Sequence, residues 1–150
     1  MILLVHIIFG TAVGSLFNNP ILGIMMALLS HYFLDLFPHI EYPIDNLKNI
    51  RTNFKKALPE LFYLFIDFAL GVLFIFIFTN KSLIFFIYAL ISIAPDFLTV
   101  LSAILPNKIL KIHDIFHRKY IHFLRDKKIS NFYRISIQIV IVIISFIILK

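Results

Sequence analysis

Hydrophobic positions so dominate this chain that its elements are read from the interruptions. Apolar stretches over 2–17, 21–37, 60–79, 83–105 and 132–149 predict five helices facing lipid or one another. The first is short for a crossing and carries Gly10 and Gly14 at the Gly-x-x-x-Gly spacing that lets helices approach closely. Asn18-Asn19-Pro20 breaks it from the second, with Pro20 opening the new helix. Ala94-Pro95-Asp96 predicts a kink in the fourth. The last has no ionisable group between Arg134 and Lys150 and reads as an anchor without chemistry.

Two stretches leave the apolar phase. In 40–59, Ile44, Leu47, Phe54 and Leu58 recur at helical spacing opposite Lys48, Arg51, Lys55 and Lys56. In 106–128, Ile109, Ile112, Phe116, Tyr120 and Phe123 mark one face among Lys108, Lys111, Arg118, Lys119, Arg125, Lys127 and Lys128. Both predict amphipathic helices lying in the membrane interface, basic side out. The expected fold is thus an all-α integral membrane protein, a single membrane-embedded domain over 1–150. It is a bundle of about five transmembrane helices plus two amphipathic interfacial helices.

Composition agrees: 61% of residues are hydrophobic, and mean hydropathy is +0.96. The absence of cysteine excludes disulfides and thiolate metal sites, leaving His and carboxylate as the ligands for any metal. The net charge of +6 lies in the loops, which suits anionic lipid better than nucleic acid. The start of the chain lacks a basic n-region, against a cleaved signal peptide. The two basic stretches are separated by two predicted crossings and so share a side. By the positive-inside rule that side is cytoplasmic, giving an inner-membrane protein with its N-terminus inside and C-terminus outside.

Against this background, Leu29 to Pro43 stands out. It places His31, Asp35 and His39 at successive steps of four, the first two on one helix face, with Pro38 disturbing the turn that follows. An Asp at the centre of a membrane helix costs roughly 2.5–3.5 kcal/mol on insertion scales, so such a group calls for a reason. The predicted spans bring His6, Asp67 and Asp96 to the same inner depth, with His113, His117 and His122 on the surface beside them. Each alone could be a structural polar residue; their convergence argues for a metal centre. On a regular helix His117 and His122 stand about 140° apart, so both can reach one site only where the helix breaks.

Four blocks resemble those of the YdjM-type membrane-bound metal-dependent hydrolases, in permuted order. They are Val5-His6-Ile7-Ile8-Phe9-Gly10, Ser30-His31-Tyr32-Phe33-Leu34-Asp35, Ala94-Pro95-Asp96, and His117-Arg118 with His122. The resemblance implies metal-dependent hydrolysis at the membrane, with His6, His31, Asp35, Asp96, His117 and His122 as the matching polar positions. A remoter likeness, to zinc-dependent phospholipases C, suggests the substrate class.

The resulting expectation is one or two divalent ions, zinc foremost, held by His31, Asp35 and His39 and completed by Asp96 and His6 or His117. Asp67 is expected as bridging ligand or general base, and His122 and Arg118 as further catalytic candidates. Such an ion lowers the pKa of bound water from 15.7 to about 7, which makes ester or phosphoester hydrolysis accessible. The basic collar would hold an anionic headgroup or lipid-linked phosphate. The rival readings are a metal or proton transporter, which needs polar residues toward both faces, and a membrane protein with a purely structural metal. The sequence leaves open whether the chain forms a homo-oligomer.

Overall fold

The computed structural model describes residues 2–42, 46–47, 50–124 and 127–150. Among them the chain is all helical: α1 (Leu3–Ser15), α2 (Pro20–Asp35), α3 (Phe54–Phe78), α4 (Leu83–Ser92), α5 (Ala94–Ile104), α6 (Lys108–Phe116) and α7 (Asn131–Leu149), with a π-helical turn over His117–Ile121.

α1 is the hub. It packs against α2, α3, α4 and α7, and Val5 to Ile8, Gly10 to Ala12 and Gly14 are buried on it. Its two glycines permit the contact with α4, since a Cβ on Gly10 would collide with Ser92 and one on Gly14 would lie 2.6 Å from the Tyr88 ring. The Asn-Asn-Pro break reverses the chain as its residues dictate. The Asn19 side chain accepts from the N–H groups of Ile21 and Leu22, and Pro20 occupies the first helical position.

α3 and α7 are each long and apolar enough to cross a membrane, and α4 with α5 passes the same test as one span bent by 52°. That gives two crossing helices, or three with the bent pair. α1 and α2, of 13 and 16 residues, extend only about 20 and 24 Å against a hydrocarbon core of about 30 Å. Length alone therefore does not make them the two further crossings that hydropathy predicts. The bend falls beside Ala94-Pro95-Asp96, where Pro95 offers no N–H to the preceding turn.

The amphipathic helix expected over 40–59 is not found among the described residues; Ile44 and Lys48 lie outside them. Asn46 and Leu47 are instead fastened to α3, for the Glu60 carboxylate accepts from both their N–H groups and from the Asn46 amide at 2.7–3.1 Å. α3 starts at Phe54, six residues earlier than the predicted third span, and so absorbs the last six residues of the stretch with Pro59 inside it. The second basic stretch does form a helix, α6, on which Ile109 and Ile112 are exposed. Arg125, counted in that stretch, lies outside the described residues.

Candidate metal centre

Four separate pieces of chain deliver side chains to one point. α1 brings His6; α2 brings His31 and Asp35 from its last turn, followed by His39 just beyond it. The first turn of α5 brings Asp96, where the helix N-terminus favours an acid. The π-turn brings His117 and, just after it, His122. This turn resolves the angular conflict on a regular helix, because its bond runs from His122 N–H to the His117 carbonyl five residues back, at 3.1 Å.

Asp35 is the centre. Its Oδ1 lies 3.1 Å from His6 Nε2 and 3.7 Å from His39 Nε2. Its Oδ2 lies 3.1 Å from His31 Nε2, 3.3 Å from His117 Nε2 and 3.1 Å from His122 Nε2. His31 Nε2 is also 3.1 Å from His117 Nε2 and 3.8 Å from Asp96 Oδ1. All five imidazoles and Asp35 are buried, whereas the Asp96 side chain is 26% exposed.

The outer ring nitrogens explain why the inner ones face the acid. His31 Nδ1 donates to the Ser92 carbonyl at 2.7 Å, and His39 Nδ1 donates to the Phe37 carbonyl at 2.6 Å. His117 Nδ1 meets the Thr99 hydroxyl at 3.3 Å, and His122 Nδ1 lies 2.6 Å from Glu41 Oε1. A carbonyl only accepts, so in neutral His31 and His39 the Nε2 lone pairs point at carboxylate oxygens. Acceptors turned on one another inside an apolar bundle are satisfied by a proton or by a metal cation between them, and the set is arranged to take either. Nδ1 tied outward and Nε2 turned inward is also the arrangement by which proteins fix metal-ligating histidines.

The spacing fits as well. Ligands held 2.0–2.1 Å from zinc at tetrahedral angles are about 3.3 Å apart. His31, Asp35, Asp96 and His117 show separations of 3.1–3.8 Å, and one ligand atom from each lies within 4.8 Å of the others. A second group, Asp35, His39 and His122, meets the same limit. This buried His/Asp set could thus hold a metal ion.

The surroundings carry charges of their own. Burial disfavours the charged form of His122, but hydrogen bonds to Asp35 and Glu41 outweigh it and raise its pKa to about 9. Burial likewise pushes Glu41 up, and the imidazoles of His122 and His39 overcome it and hold the carboxyl well below its usual range. His39 itself is lowered, by burial that Glu41 only partly offsets. A cavity of about 80 Å³ opens beside the cluster, with Asp96, His117, His122, Glu41 and Arg118 on its polar side and Leu3, Leu64 and Val100 on its apolar side.

Three of the sequence candidates stand apart. Asp67 faces the start of α1, where it accepts from the Leu4 N–H at 3.0 Å and from the Tyr42 hydroxyl. Arg118 lines the cavity and pairs with Asp114 at 2.6 Å. His113 stacks on His117 with 5.6 Å between ring centroids and contacts the Tyr32 hydroxyl at 3.3 Å. Sequence reasoning missed Glu41, whose one signal was its place two residues after His39. It also missed Arg134. From the first turn of the supposed anchor, this guanidinium donates to the His39 carbonyl at 2.8 Å and to the Lys127 carbonyl at 3.0 Å.

Comparison of the chain with family models, with curated proteins and with solved structures returns no match.

Proposed function

We propose that the protein is a membrane-embedded, metal-dependent hydrolase that cleaves a phosphoester or ester of a lipid or lipid-linked substrate at the cytoplasmic interface. The observation that carries this reading is the ring of five histidine Nε2 atoms around the Asp35 carboxylate, at 3.1–3.7 Å, in the interior of an apolar bundle. Its histidine-and-carboxylate donors and their spacing suit zinc. The four blocks similar to those of YdjM-type hydrolases contribute every residue of this ring but His39, and Asp96 beside it, which supports the same activity. The basic stretches 40–59 and 106–128 favour the cytoplasmic side.

His31, Asp35, Asp96 and His117 would hold the ion. A divalent cation there supplies Lewis-acid activation of water and of the scissile group at neutral pH. Asp96 is the ligand nearest solvent, so the cavity it lines is where substrate would enter. Arg118 on the same wall offers a positive charge to an anionic headgroup, and the Asp114 carboxylate holds it in place. The substrate's anionic group would enter this cavity of about 80 Å³, and the chains of a lipid would stay outside it.

The test is hydrolysis by the purified full chain in lipid nanodiscs, reloaded with zinc or manganese, on phospholipids and on soluble phosphomonoesters and phosphodiesters. The expected result is ion-dependent turnover that His31→Ala and Asp96→Asn abolish. No turnover of any of these with either ion would overturn the reading.

A further inference from the structure

Asp35 turns different oxygens to different partners, and the group formed with His31, Asp96 and His117 does not use all of them. We propose that the centre is dinuclear. A second divalent cation sits between Asp35, His39 and His122, and Asp35 is the carboxylate that bridges the two ions. This rests on the metal-dependent reading above and deepens it by fixing how many ions the site takes and which side chain joins them.

Three observations lead to it. The first is the unclaimed donor set. Ligand atoms of Asp35, His39 and His122 lie within 4.8 Å of one another, and all three residues are buried. His39 Nε2 approaches Asp35 Oδ1 and His122 Nε2 approaches Oδ2, the oxygen that His31 and His117 also approach, so the carboxylate touches both ligand groups.

The second is the orientation of His39. With Nδ1 donating to the Phe37 carbonyl, its Nε2 lone pair points at Glu41 Oε1, 3.0 Å away, and at Asp35 Oδ1, 3.7 Å away. Three acceptors meet there, and an ion held by His39 Nε2 and Asp35 Oδ1 would offset their repulsion, with Glu41 left to steer the rings. The four-ligand group cannot account for this, since neither His39 nor Glu41 belongs to it.

The third is the support built around these residues. Glu41 Oε1 lies 2.6 Å from His122 Nδ1, the carboxylate–histidine arrangement that holds a metal-ligating ring. Arg134 ties the His39 carbonyl to the carbonyls of Leu124, Lys127 and Ile129, in the segment that follows His122. One guanidinium thereby fixes the two ligand-bearing segments against each other. Arg134 and Glu41 are positioning residues for the second ion. Paired ions of this kind stand about 3.5–4 Å apart and suit in-line displacement at phosphorus, which favours a phosphoester over a carboxylic ester as substrate.

The test uses full-length protein in detergent, stripped with a chelator, titrated with Mn²⁺ alone and read by elemental analysis and electron paramagnetic resonance. The expected result is two ions per chain with the exchange-coupled signal of a bridged pair. His39→Ala should retain one ion and lose the coupling, and Asp35→Asn should lose the coupling as well. Glu41→Gln, a milder change, should weaken the second ion about 10–100-fold while leaving the first. One uncoupled ion per chain in the wild type, unaltered by Glu41→Gln, would overturn the dinuclear proposal and leave the hydrolase standing. No bound ion at all would overturn both.

Discussion

The Nε2 atoms of His31 and His117 face each other across 3.1 Å, although the residues are 86 positions apart in the chain. His31 has committed its Nδ1 proton to the Ser92 carbonyl, so its Nε2 lone pair faces His117, where the ion of the proposed centre would be shared between the two rings. Removing that ion should therefore destabilise the whole bundle. An ion at a thousand times its dissociation constant stabilises the folded state by about 4 kcal/mol, or roughly 10 °C in Tm for a chain of this size. Thermal unfolding of chelator-treated and zinc-reloaded protein measures this, and identical melting curves would contradict it.

pH should act in opposite directions on the stripped and the loaded protein. His122 is raised from 6.5 to about 9 in the folded state, so its contribution is complete below pH 6.5 and is lost as pH climbs through 9. Stripped protein should melt lower as pH rises across that window, and Glu41→Gln should flatten the trend. Ion uptake must expel the same proton, so apparent affinity should grow with pH, by up to about tenfold per unit for one proton displaced. Calorimetric titration in buffers of different ionisation enthalpy counts that proton directly.

Gly10 bears on the metal without touching it. A Cβ there collides with Ser92, whose carbonyl orients His31. Gly10→Ala should cost about 1–3 kcal/mol through overpacking and should weaken the ion as well, although no ligand has changed. Thermal unfolding combined with metal titration checks both effects. A destabilised variant with wild-type affinity would uncouple the α1–α4 contact from the centre.

Asp67 provides a contrast. Its carboxylate accepts from the Leu4 N–H and the Tyr42 hydroxyl. Asp67→Asn should lower stability by about 1–3 kcal/mol, the range for a charged hydrogen bond at a helix start, with ion stoichiometry unchanged. A lost ion would return Asp67 to the ligand set expected from its depth.

The helix starts and stops were legible because Asn19-Pro20 and Pro95 act locally, through a cap and a missing N–H. The convergence of His6, His31, Asp35, His39 and Asp96 was legible too, since the i,i+4 spacing fixes a helix face and buried ionisable groups in apolar helices seek one another. The segment after α2 was not. Its helical periodicity predicted an interfacial element, but the buried Glu60 carboxylate, on the neighbouring helix, takes up backbone donors of Asn46 and Leu47 that such an element would need. Pro59 seemed to close that loop. α3 accommodates it because the carbonyl it leaves without a donor, four residues back at Lys55, lies at an exposed position. Expected depth does not settle the neighbours of a residue, and Asp67 faces Leu4 and Tyr42. Carbonyl partners such as Ser92 carry no signature in side-chain identity at all.

The π-turn makes the spacer between His117 and His122 a matter of length more than of composition. Lys119 and Tyr120 are exposed, so exchanging their side chains leaves the backbone path intact. Deleting one of them would let an ordinary helical turn re-form and swing His122 away from the acid it faces. At Lys119 and Tyr120 an insertion or deletion of a single codon should be far more damaging than a missense change.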